Sequence, residues 1–233
     1  MFLPFSVEHS FQRVAYVTIG LGAIMILVAL FSGLPGGAVE AGYALDPSAF
    51  HVRQLITSGF IHGGVMHLLG NLLFLWVFGR YVEDRLGATK FLALYFASEV
   101  GADVAQLAFG RSGPSIGASG AISGLMGYVL VAAPWLEVRC ALVIGFYATR
   151  GFDVAAGFLL IPWVLMQLVE ASYGSMDGVA VAAHIGGFLF GVAAAAVMRS
   201  RYCLGTGWYI DPLPPKGGQA AVDRLRNARA RGR

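Results

Sequence analysis

Residues 113–127 read GPSIGASGAISGLMG, and they set the hydroxyl of Ser119 among small residues at the point where an apolar segment begins. What that hydroxyl is for depends on which other parts of the chain can reach it. Of 233 residues, 57% are hydrophobic and 12% charged, whereas an ordinary soluble domain is about a quarter charged. With a mean hydropathy of +0.69, the composition is that of an integral membrane protein. Backbone polar groups find no water inside a bilayer, so the apolar blocks are expected to be helices.

Six blocks are long enough for a crossing, which takes roughly 20 helical residues. They lie at about 14–31, 64–80, 91–109, 116–133, 154–171 and 179–198. The expected fold is therefore an all-α membrane protein of six transmembrane helices. It divides into a short N-terminal segment 1–13, a membrane domain 14–198 with a long outer loop 32–63, and a polar, basic tail 199–233. The first block has neither a strongly charged leader nor a small-residue cleavage site, so it reads as a retained span rather than a signal. Six crossings put every lysine and arginine except Arg53 and Arg111, out of sixteen, on one side. By the positive-inside rule that side is cytoplasmic and holds both termini.

Other composition signals exclude more than they assert. Cys140 and Cys203 are too few for a disulfide framework and have no metal-ligand spacing. The pI near 9.0 comes largely from the tail DRLRNARARGR. Anionic lipid is a better partner for such a tail than nucleic acid, for which no folded basic patch is apparent.

With this topology, spans 2, 4 and 6 all begin on the outer side. Span 2 opens with FIHGGVMHLLGN, carrying His62, His67 and Asn71, and span 6 opens with GVAVAAHIGGFLFG, carrying His184. Ser119 and His184 thus lie at similar depth. Gly120 and Gly124 on span 4, and Gly187 and Gly191 on span 6, form small-residue pairs of the kind that let helices approach closely in lipid. A serine oxygen and an imidazole nitrogen can then come within about 2.6–3.2 Å, the geometry of an activated nucleophile. His67 and Asn71, four apart on one face, and the backbone N–H of Ser119 at a helix start are candidate oxyanion donors. Gly117 allows a sharp entry into the helix, and Gly120 leaves room for a substrate main chain. Residue 121 is alanine, so the pattern is G-x-S-G and not the G-x-S-x-G elbow of soluble hydrolases.

GASG, the distant AHIGGFLFG and the preceding HGGVMHLLGN together resemble the rhomboid family of intramembrane serine proteases. The likeness extends to Glu83, Arg85, Leu86 and Gly87, similar to that family's E-x-R-L-G turn, and to Arg53, beside which Val52 stands where the family has tryptophan. The resemblance implies a six-helix rhomboid-like bundle in which Ser119 is the nucleophile and His184 the general base. His67 and Asn71 would form the oxyanion hole, and His62 matches the family's first histidine. Ser123 occupies a position that in the family often carries a ring packed on the histidine.

The function expected is hydrolysis of transmembrane protein substrates near the outer face, without a cofactor or metal. Span 5, with Phe158, Pro162 and Trp163, is the candidate lateral gate. The compact layout without a transit peptide points to a bacterial plasma membrane. Three alternatives remain open: a catalytically silent relative that binds membrane clients, a transporter using Glu99, Asp103 and Gln106 on span 3, and zinc binding by the histidines, which lacks H-E-x-x-H spacing.

Overall fold

The structure, a computed structural model, describes residues 2–32, 42–110, 113–144, 147–148, 151–173 and 180–203. Each apolar block corresponds to a helix. These are α1 (Tyr16–Ser32), α3 (Val65–Leu86), α4 (Ala88–Phe109), α5 (Ser119–Ala132), α6 (Ala156–Tyr173) and α7 (Val181–Cys203), with a short α2 (Gln54–Thr57) in the loop after α1. Among the described residues, α3, α6 and the Val181–Met198 part of α7 are long and apolar enough to cross a membrane, while α1 and α5 are apolar but shorter. The basic tail beyond residue 203 and loop residues 33–41 lie outside the described residues.

The all-α expectation needs one correction. Four strands, β1 (Phe2–Val7), β2 (Glu137–Ile144), β3 (Tyr147–Ala148) and β4 (Phe152–Ala155), form a small antiparallel sheet with β2 paired to the other three. The stretch EVRCALVI alternates in burial through Val138 and Cys140, both fully buried, with Arg139 exposed between them, the period of a strand. Its apolar end, ALVI, is too short to cross a membrane and continues the strand. Pro4, which lacks an N–H, lies on the edge strand next to an irregularity between Pro4 and Ser6, where a proline is tolerated.

The chain start is tied to the far end of α3. The first amides of a helix have no partner within it, and in α1 two of them are satisfied by Glu83. Glu83 accepts from the Val17 and Thr18 amides at 2.9 and 2.7 Å and from the Thr18 hydroxyl at 2.7 Å. Asp84 accepts from the Gln12 and Arg13 amides and meets His9 at 2.8 Å. Arg80 adds a cation–π contact, its guanidinium 4.1 Å from the Trp76 ring and 4.2 Å from that of Phe11. Glu83 therefore caps α1 while Asp84 holds the segment that leads into it, and Gly87 at φ +77° ends their helix in a conformation that suits glycine.

The core surrounds α5, whose residues from Gly120 to Val129 are all buried. Its two closest neighbours are α7 and α4. A β-carbon added at Gly187 would collide with the Gly120 carbonyl, one at Gly191 with the Gly124 carbonyl, and one at Gly127 with the Phe188 carbonyl. So α5 and α7 touch backbone to backbone along the two small-residue faces. Gly191→Val is therefore expected to lower the melting temperature in detergent by about 5–10 °C through overpacking of roughly 2–3 kcal/mol. Gly20→Ala, at a position with open space around it, is expected to leave that temperature nearly unchanged; equal melting of the two variants would contradict the close approach.

Candidate active site

Ser119 is the first residue of α5, and His184 lies in the first turn of α7. His184 Nε2 is 2.8 Å from Ser119 Oγ, hydrogen-bond distance with the hydroxyl donating to a ring nitrogen. One turn below, the Ser123 hydroxyl donates to the Ser119 carbonyl at 2.6 Å, so residue 123 does not supply a ring to the histidine. Trp163 on α6 does: its ring centre lies 5.9 Å from that of His184 at a tilt of 39°, and it packs against Phe188 at 5.9 Å.

The polar face of α4 accounts for the alignment of the two helix starts. Glu99 accepts from the Ala121 amide at 2.8 Å and Gln106 accepts from the Ala183 amide at 3.2 Å, so side chains two turns apart on one helix cap both α5 and α7. Asp103, between them, accepts from the Ser58 hydroxyl at 3.2 Å, and the Ser58 carbonyl accepts from the Gly117 amide at 2.9 Å. The i, i+4, i+7 spacing puts all three on one face. Orphan amides that burial would leave costly thereby gain acceptors, and the entry to α5 is pinned from two sides.

Ser119 and His184 share a cavity of about 270 Å³ with His67, Asn71, Met66, Phe74, Met126 and Trp163. Gly117, at φ +110°, enters α5 in a conformation that disfavours a side chain, and a β-carbon there would lie 2.7 Å from the His67 ring. Asn71 Nδ2 donates one hydrogen to the His67 carbonyl at 3.0 Å, and the Gly63 amide approaches His67 Nδ1 at 3.4 Å. A ring that accepts at Nδ1 carries its proton on Nε2 when neutral.

His62, in the loop before α3, is buried, and neither ring nitrogen has a hydrogen-bond partner among the described residues. Its ring meets that of His67 edge-on at 5.2 Å. Burial, and then the neighbouring His67, hold its pKa down at about 4. Arg53, by contrast, is occupied in the loop with the Gly42 carbonyl and the Tyr43 ring, and Val52 beside it is exposed. Among the described residues, the grouping able to hold a metal is Glu8, Glu137 and Asp153 at the sheet, away from the histidines.

One partner of the site went unread in the sequence. Gln167 on α6 is buried, and its Oε1 lies 2.6 Å from His184 Nδ1. The available signal was a lone amide four residues after Trp163 in an apolar span, hence on the same face.

A mostly helical protein with membrane-length helices, and with a hydroxyl and an imidazole joined at two adjoining helix starts, falls in a narrow class of membrane proteins. The chain belongs to the rhomboid family: the Rhomboid domain model matches residues 49–201. It is similar to the rhomboid protease GlpG of Salmonella paratyphi A (strain ATCC 9150 / SARB42), 36% identical over 163 residues covering 68% of this chain and 53% of that protein. It is also similar to the RHOMBOID-like protein 4 of Arabidopsis thaliana, 33% identical over 148 residues covering 64% of this chain and 34% of that one. The matched region thus spans about half or less of those relatives.

A histidine whose pKa falls on folding remains neutral in the native state while its unfolded counterpart charges below the ordinary value of about 6.5. Its contribution to stability is present above that value and is lost as pH falls toward the native value. The melting temperature is thus expected to drop between pH 7 and pH 5, less steeply in His62→Phe. Parallel melting curves over that range would contradict the neutral buried ring.

Proposed function

We propose that this chain is an intramembrane serine endopeptidase that cleaves transmembrane protein substrates near the outer membrane face. The observation that carries the reading is the 2.8 Å contact between Ser119 Oγ and His184 Nε2 at the wall of a cavity that also holds two side-chain donors. Ser119 Oγ attacks the carbonyl carbon of the scissile peptide as its proton passes to Nε2. The oxyanion that develops is held by Asn71 Nδ2–H, His67 Nε2–H and the Ser119 amide at the start of α5, each typically worth about 2.7–4 kcal/mol where such donors have been removed. His184 returns the proton to the leaving amine, an acyl ester remains on Ser119, and a water deprotonated by His184 hydrolyses it. No cofactor enters this sequence.

The membrane frame is part of the proposal. Residues 14–198 make six crossings, with both termini and the basic tail on the cytoplasmic side and the cavity opening outward. At 1.5 Å per residue the 14 residues of α5 extend about 21 Å, short of a hydrocarbon core of about 30 Å. With its inner end at the cytoplasmic boundary, this helix leaves Ser119 well below the outer surface, where a substrate helix must unwind to present its backbone. The apolar outer face of α6, with Phe158 and Leu165 exposed, is the side for lateral entry, and Pro162 interrupts its backbone hydrogen bonding. A bacterial plasma membrane agrees with the likeness to the Salmonella proteins. The carboxylates of α4 are engaged with Ala121 and Ser58, which removes the motive for reading α4 as a transport path.

Labelling of the detergent-solubilised chain by a fluorophosphonate is expected for the native sequence and lost in both Ser119→Ala and His184→Ala; labelling that persists in Ser119→Ala would refute the nucleophile. Asn71→Ala is expected to lower kcat by about 100-fold or more with little change in helical circular dichroism. Equal losses of helicity and turnover would speak against an oxyanion role.

A further inference from the structure

The contacts behind His184 determine where its protons sit. Gln167 Oε1 is 2.6 Å from His184 Nδ1, and Gln167 Nε2 is 3.1 Å from Glu170 Oε2. A carboxylate oxygen accepts, so the amide nitrogen of Gln167 donates to Glu170 and its oxygen is left facing the imidazole. An amide oxygen only accepts, so Nδ1 carries the ring proton. In a neutral imidazole the lone pair is then on Nε2, the nitrogen 2.8 Å from Ser119 Oγ. Gln167 is 7% exposed, so its polar atoms have little water to fall back on, and Trp163, one turn away, flanks the same ring.

We propose that Gln167, backed by Glu170, is a positioning residue that holds His184 in the Nδ1–H tautomer and strengthens its grip when the ring charges. The result is a four-membered chain, Ser119, His184, Gln167 and Glu170, in place of an isolated pair. This rests on the protease reading above. When Ser119 yields its proton to Nε2, the ring becomes an imidazolium and the Nδ1–H contact to Gln167 becomes charge-assisted. No proton moves to Gln167; the amide dipole, oriented by Glu170, meets the new positive charge. Such a bond is stronger in the transition state than before it, so its loss falls on kcat and spares KM. Gln167→Leu, which keeps the volume and removes the acceptor, is expected to lower kcat about 10- to 100-fold.

The test uses the full chain in detergent with a fluorogenic transmembrane peptide, together with 15N spectra of histidine-labelled protein in which His184 is assigned by its absence in His184→Phe. Four chains are compared: native, Ser119→Ala, Gln167→Leu, and the exchange Gln167→Glu with Glu170→Gln, which keeps an acceptor on Nδ1 and a donor behind it. The expected result is a single Nδ1–H tautomer in the native protein and mixed tautomers in Gln167→Leu with reduced kcat and native KM. In the exchange variant kcat should return to within about threefold of native, since hydrogen-bond strength is largely restored. An unchanged kcat and tautomer in Gln167→Leu overturns the proposal while leaving the protease reading intact, provided Ser119→Ala is inactive. Activity surviving in Ser119→Ala removes the protease reading instead, and the spectra then decide the Gln167 contact alone. Should Gln167→Leu fold poorly, the exchange variant decides: native melting with kcat still depressed overturns the proposal.

Discussion

The structure depends on direct contact between two backbones. Where α5 and α7 cross, the Gly120 and Gly124 carbonyls fill the space that side chains at Gly187 and Gly191 would occupy, and the Phe188 carbonyl fills that at Gly127. In lipid there is no hydrophobic reward for bringing two apolar helices together, so their association depends on packing, weak Cα–H to carbonyl contacts and polar links. Only such an approach brings a residue as short as serine to an imidazole on the next helix. The small-residue stripes and the contact between Ser119 and His184 are thus one feature.

Close approach alone does not match the heights of the two helices, and α4 supplies what is missing. Glu99 and Gln106 each take an amide from the start of a neighbouring helix, so sliding α5 or α7 along its axis would orphan a buried donor. The penalty for an unsatisfied buried amide, about 1–3 kcal/mol, acts as a stop in both directions. Asp103 extends the same grip to the loop through Ser58, whose carbonyl in turn holds Gly117. Polar groups that look anomalous in an apolar helix thereby set the alignment of Ser119 with His184.

Much of this was legible in the residues, and what was not has a physical reason. Among the described residues each hydropathy block falls on a helix, because a chain facing lipid must hide its backbone locally. The pairing of Ser119 with His184 followed from helix direction and the spacing of small residues. The acceptors for the polar face of α4 could not be named, since a cap is defined by the amide it meets and nothing local specifies that amide. Gln167 was passed over for the same reason, an amide within a span being as readily a helix clasp as part of a site. The pairing of β1 with β2 was hidden because the two strands are far apart in the chain, whereas β2 meets β3 and β4 locally.

That sheet has a consequence for how the molecule is assembled. Phe2 pairs with Leu142, so β1 waits for the passage of roughly 140 residues before its partner exists. At about 5–20 residues per second that interval is on the order of 7–28 s. Through it α1 has for company the Glu83 and Asp84 carboxylates, which arrive much earlier, and the strand holds an unsatisfied edge exposed to any other extended segment. Maturation therefore closes late, as a latch that joins β1 to β2 after the helices between them have been made.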